Sequence, residues 1–196
     1  KRTYLIFSNL TSSNTNPTLQ ALEEEYAPVF ASLDDKIYLN DKLYKRIIAL
    51  PTAGLDSEDR RLLEFYKQKF EIAGAALSPE KKEELQKINQ EMATLQTQFS
   101  SKLLEARKQG ALVLDSADQL DGLSADEIAA AKNDAELAGK SGKYLLALQN
   151  TTQQPALQNL KNRQTREALF SASWIRAEKN DGNDTRTTIE KLVKLR

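Results

Sequence analysis

The chain has 196 residues, 40% of them hydrophobic, with 28 basic and 28 acidic side chains and neither cysteine nor histidine. Formal neutrality removes the electrostatic footprint of a nucleic-acid or anionic-membrane binder. The missing residue types remove disulfides, thiolate chemistry, imidazole bases, the usual serine and cysteine triads and the common zinc sites.

The opening segment KRTYLIFSNL is apolar and reads as a short helix or an extended lead-in docked on the core. Asn16 followed by Pro17 starts a helix in which Leu19, Leu22, Tyr26, Val29, Phe30, Leu33 and Ile37 keep a helical period. Pro28 lies within that pattern and should kink the helix rather than end it. Asn40 caps a short helix bearing Leu43, Tyr44, Ile47 and Ile48, which Pro51 stops, and 52–55 is a turn. Asp56, with Asp59 three residues on, resembles a capping box for a helix carrying Leu62, Phe65, Tyr66 and Phe70 that closes near Gly74.

The longest pattern runs from Ser78 to Gly110. Ser78 is a good N-cap, Pro79 needs no backbone donor there, Glu80 faces the positive end of the helix dipole, and Arg107 and Lys108 face the negative end. Between them Leu85, Ile88, Met92, Leu95, Phe99 and Leu103 hold one narrow apolar seam. A helix of about 31 residues spans on the order of 46 Å, so it needs partners along its length. The shorter amphipathic helices on either side can supply that cover.

After Gly110 the texture changes. Residues 111–114 form a short apolar run followed by the turn-rich DSADQLDG and predict a strand. Ser124 and Glu127 form a capping box for a helix that ends in the loop from Gly139 to Gly142, and 144–148 predicts a second strand. Two such strands make no stable sheet alone, so the ladder should lie on the helices with the 125–138 helix inserted between its strands. Pro155 is expected to open a short helix. Leu169, Phe170, Ser173, Trp174 and Ala177 mark another after Asn162, and the DGND turn at 181–184 introduces the last.

The expected fold is therefore mainly α, a helical bundle or layer with one long central helix and a small two-stranded β element. Its parts are long helices over 1–110, strand–helix–strand over 111–150 and short helices over 151–196, together one lobe. No apolar run approaches the roughly 18 residues that cross a bilayer, so a soluble protein is expected, with neither nucleic acid nor membrane as partner. The chain opens at Lys1 without an initiator Met and closes within the pattern Ile189, Leu192, Val193 and Leu195, so a longer parent is expected.

Candidate chemistry is sparse. Glu23 to Glu25, Asp34 with Asp35, and Glu83 with Glu84 are acidic clusters, but helical neighbours diverge by roughly 100°, so a solvated face is the expectation. Residues 181–190, DGNDTRTTIE, lack the ligand spacing of a calcium loop and read as a turn with an N-cap. The sequons at Asn9, Asn150 and Asn183 are of a number that arises by chance in a chain this rich in Asn, Ser and Thr. Trp174 is expected to anchor the core rather than to offer a stacking platform. No residue is assigned a catalytic, cofactor-binding or metal-ligating role.

The stretch AGAALSPEKKEELQKINQEMATLQTQFSSKLLEA resembles the amino-terminal region of the thimet oligopeptidase family of zinc metallopeptidases, most closely its bacterial dipeptidyl carboxypeptidase branch. NTNPTLQALEEEYAP and DKIYLNDKLY resemble that branch upstream. LSADEIAAAK, NRQTREALFSASWIRAE and NDTRTTIEKLVKLR resemble it downstream. The resemblance implies an enzyme of two helical lobes flanking a deep channel, cleaving oligopeptides with zinc held by a His-Glu-x-x-His motif and a further Glu. With no histidine here, none of that motif maps onto this chain, which would be an inert amino-terminal fragment walling the channel. Oligopeptide substrates and the remainder of its own chain are the implied partners, in the cytoplasm or the periplasm. Two alternatives stay open: the internally cleaving oligopeptidase branch, and a standalone helical scaffold.

Overall fold

The computed structural model describes residues 2–196. Among them are nine α-helices, one 3-10 turn and two short strands. The chain divides into two compact units, a first running to Gln98 and taking in Lys191–Arg196, and a second covering Phe99–Glu190. The fold is mainly α, as the periodicity predicts.

In the first unit, α1 (Arg2–Ser13) packs against α2 (Pro17–Tyr38). The opening segment is thus a helix, with Tyr4 tilted against Phe30 at 4.5 Å between ring centroids. Asn16 Oδ1 accepts the Leu19 N–H at 2.9 Å, and α2 continues through Pro28. Asn40 caps α3 (Asp41–Ile48) in the same way, accepting from the Leu43 N–H at 3.0 Å. Asp56 opens α4 (Ser57–Ile72), its carboxylate accepting the Asp59 N–H at 2.8 Å. Each cap satisfies an amide that the first helical turn leaves without an internal partner.

Helix α3 packs on α4, and Phe70 at their junction is buried, with Tyr38 edge-on at 5.2 Å and Tyr44 stacked at 6.2 Å. Gly74 ends this layer with φ +97°, and an added Cβ would stand 2.8 Å from Leu85 and 2.9 Å from Leu77. The backbone angle is what favours glycine there, since the two contacts are to the ends of leucine side chains that can shift.

The long pattern is one helix, α5 (Pro79–Gln109), and the boundary between the units falls within it. Ser78 Oγ accepts the Lys81 N–H at its start. Cover of the seam is incomplete: Leu95 is buried, while Leu85, Ile88, Met92, Phe99 and Leu103 are half-buried. Gly110 follows without the left-handed angle of a typical helix stop; its Cβ would lie 2.7 Å from the Ala106 carbonyl and 2.9 Å from Leu148. Close approach, not backbone sign, selects glycine at this position.

In the second unit β1 (Leu112–Leu114) pairs antiparallel with β2 (Tyr144–Leu146), Leu112 opposite Leu146 and Leu114 opposite Tyr144. Helix α6 (Ala125–Leu137) is inserted between them in sequence and packs on β2, as expected. Its capping box is complete: the Ser124 N–H donates to Glu127 at 2.7 Å, and the Glu127 N–H donates back to Ser124 Oγ at 3.3 Å. Leu114, Leu120, Leu146, Leu148, Leu160 and Leu169 form the buried core with Ala131 and Ala156. Three residues of ladder are too few to stand alone; the leucines behind them supply the missing stability.

Helix α7 differs from expectation. It begins at Asn150, not at Pro155, and runs to Asn159 with Pro155 inside it. Gln149 makes no side-chain cap bond, so the usual start signal is missing, and its carbonyl instead accepts from Thr152 and Gln153. Proline has no N–H for the Thr151 carbonyl, a cost that the buried Ala156 and Leu160 offset. Helix α8 (Arg163–Trp174) is capped by Asn162, which accepts the Thr165 N–H at 3.1 Å, and packs on α7 and β1. The turn before α9 (Arg186–Leu195) is held by Asp184, whose carboxylate accepts from the Asn180 N–H, the Arg186 N–H and the Arg186 guanidinium. The guanidinium, with those backbone donors, holds this carboxyl far below the usual carboxylate range.

Candidate functional site

The acidic clusters of the sequence do not converge. Among the described residues no group of three or more His, Cys, Asp or Glu side chains could hold a metal ion. Glu24, Glu25, Glu83 and Glu84 are exposed, as a solvated face requires. Asp35 departs from that expectation. It is buried at 8% exposure while its neighbour Asp34 is exposed, because successive helical residues point about 100° apart and α2 turns one of the pair inward. Asp35 Oδ1 accepts from Asn89 on α5 at 2.7 Å and Oδ2 has no partner. Burial, reinforced by the Asp34 charge, raises its pKa despite the opposing Asn89 bond.

Two of the grooves among the described residues are large enough to take a small ligand. One, of about 740 Å³ in the first unit, lies among Ile37, Leu43, Ile47, Leu62, Tyr66 and Phe70. It is apolar and offers no convergent set of donors. The other, of about 800 Å³, belongs to the second unit and is lined by polar and apolar side chains in near-equal measure. The carboxyl-terminal half of α5 brings Leu103 and Arg107 to it, the start of α7 brings Asn150, Thr151, Gln153 and Gln154, and the end of α8 with the turn after it brings Ser173, Trp174 and Arg176.

Trp174 is not the core anchor expected of it. The indole is 72% exposed and lies parallel to Phe170 at 5.6 Å, itself 52% exposed, so the pair forms a flat shelf at the groove. Leu169 and Ser173, one position back along the helix, take the inward face instead. Arg107 Nε donates to the Leu148 carbonyl at 3.3 Å, and an Arg176 terminal nitrogen donates to the Ser173 carbonyl at 2.7 Å. Arg176 Nε is buried without a partner. No acidic side chain lines the groove and neither arginine forms an ion pair among the described residues. Sequence reasoning missed this site because its cationic residues are 69 positions apart by number (176 less 107) and share no motif.

The chain is 46% identical over 195 residues to a dipeptidyl carboxypeptidase of Escherichia coli, covering 97% of this chain and 29% of that protein. It is 44% identical over the same span to a dipeptidyl carboxypeptidase of Salmonella typhimurium, with the same coverage of each. A probable cytosolic oligopeptidase A of Arabidopsis thaliana is 26% identical over 201 residues, covering 97% of this chain and 28% of that protein. The resemblance is to the dipeptidyl carboxypeptidases. Oligopeptidase A stands further off. No family model matches the chain. The chain spans about three-tenths of the length of the dipeptidyl carboxypeptidases it matches. Both dipeptidyl carboxypeptidase and oligopeptidase A are peptidases by name, which makes peptide hydrolysis the chemistry of its relatives. No helix among the described residues is long and apolar enough to cross a membrane.

Proposed function

We propose that this chain is the amino-terminal, non-catalytic part of a zinc metallopeptidase that releases dipeptides from the carboxyl end of oligopeptides. The observation that carries the proposal is the identity to dipeptidyl carboxypeptidases over nearly the whole chain, well above that to oligopeptidase A. Without His or Cys, and with no convergent acidic group among the described residues, this chain's residues do not fit a catalytic zinc. The zinc and the groups that activate water belong to the rest of the parent chain. Long helices such as α2 and α5 suit a passive task, forming part of the wall of a substrate channel that admits unstructured oligopeptides.

Incubating the 196-residue chain with zinc and an oligopeptide should release no product, whereas the longer parent should release dipeptides from the carboxyl end. Zinc-dependent turnover by the chain alone would overturn the assignment of the catalytic groups to the remainder. Internal cleavage by the parent would move the reading to the oligopeptidase branch, which the weaker identity to oligopeptidase A also supports.

A further inference from the structure

We propose that the groove between α5, α7 and α8 binds an organic carboxylate carrying a flat apolar group. Three observations within the second unit converge on that chemistry. Arg107 and Arg176 line the same groove: Arg107 Nε donates to the Leu148 carbonyl, an Arg176 terminal nitrogen donates to the Ser173 carbonyl while its Nε has no acceptor, and no carboxylate among the described residues pairs with either. A guanidinium presents its donors in a planar fork that a carboxylate matches with two parallel bonds, and a buried donor without an acceptor is costly until one arrives. Helix α7 opens into this groove with no side-chain cap and no acidic residue in its first turn, which adds the positive end of its dipole to the same field.

The third observation sets the shape of the ligand. Phe170 and Trp174 stack in parallel at the groove and remain exposed. An inorganic oxyanion gains nothing from that shelf, while a ligand with a planar apolar body buries area on it beside its anchored carboxylate. The amide side chains of Gln149, Asn150 and Gln154 supply neutral donors and acceptors along the wall. This assignment stands apart from the peptidase reading, since it concerns binding by residues of this chain and no step of hydrolysis.

The experiment titrates the 196-residue chain at low ionic strength with N-acetylphenylalanine, with its neutral amide and with inorganic phosphate. Trp174 is the single tryptophan, so its emission reports on the shelf, while the arginine Nε–H resonances report on Arg107 and Arg176. N-acetylphenylalanine should saturate both signals, the amide neither, and phosphate should bind more weakly and leave the emission unchanged. Arg176→Gln should weaken binding about tenfold, the loss of one charge-assisted bond. Arg163→Gln, on an exposed residue outside the groove, should not change it. An equal response to the amide, tighter binding of phosphate, or no saturation with any probe overturns the proposal. Should Arg176→Gln lose its helical circular dichroism, the comparison of acid and amide on the unaltered chain still decides.

Discussion

Asn89 on α5 donates a hydrogen bond of 2.7 Å to Asp35 on α2, and among the described residues it is the one hydrogen-bond partner of this buried carboxylate. Burial is the larger influence on Asp35 and raises its pKa in the folded state, so the folded chain holds the proton more tightly than the unfolded chain. The contribution to stability is therefore fully present below the ordinary carboxyl value and is lost as pH rises through the raised value. Asp35→Asn keeps the size and a donor–acceptor pair for Asn89 but cannot ionise. Urea midpoints measured across pH should show the native chain losing stability relative to Asp35→Asn as pH increases. A constant difference would show that Asp35 titrates normally.

Glu127 behaves in the opposite sense. The Ser124 backbone N–H, then the Ser124 hydroxyl, donate to its carboxylate and hold its pKa below the ordinary glutamate value. Its stabilising effect is present above the ordinary value and is lost as pH falls through the lowered one. Ser124→Ala removes the reciprocal cap of α6 and should cost about 1 kcal/mol at neutral pH. Thermal unfolding should show that loss shrinking in acid.

Leu169 and Trp174 lie on one helix with opposite surroundings, the first wholly buried and the second largely exposed. Leu169→Ala should destabilise the chain by about 2–5 kcal/mol through lost burial and the cavity left behind. Trp174→Ala should fall within about 0.5 kcal/mol of the native chain, as surface substitutions do. Chemical denaturation of the two variants checks the order, which reverses if the indole is the core anchor that its residue type predicts.

Gly122 has φ +101°, and a Cβ there would stand 2.1 Å from the Asn159 carbonyl oxygen and 2.9 Å from the Lys161 nitrogen. Backbone on backbone cannot give way as a side chain can, and the adjacent bond from the Lys161 N–H to the Asp121 carbonyl, 2.8 Å, ties the same two strands of chain together. Gly122→Ala should cost well over the roughly 1–2 kcal/mol of a left-handed alanine. Gly139→Ala, with φ +70° and open space around it, should cost that amount alone. Unfolding midpoints of the pair separate the angle from the collision.

Most of the element starts were legible because their signals are local. Asn16, Asn40, Asp56 and Ser124 each accept an N–H three residues ahead in the chain, so residue type and spacing state the bond in full. The start of α7 was not legible for the same reason: Gln149 makes no such bond, and Pro155 is the only strong local signal nearby. Asp35 was misplaced among solvated acids because only Asn89, 54 residues away, shows which of the adjacent aspartates turns inward.

Sequence by itself determined the mainly α class, the long helix from Pro79 to Gln109, the two short strands flanking α6 and the resemblance to peptidases. All of these rest on periodicity, on near-neighbour hydrogen bonds or on matched residues in order. Tertiary structure alone decided which apolar faces are covered, so that Leu169 is inside and Trp174 outside, and it alone brought Arg107 and Arg176 to one groove. Hydrophobic periodicity says that a helix has an apolar face, but how far that face is buried depends on packing between segments distant in sequence.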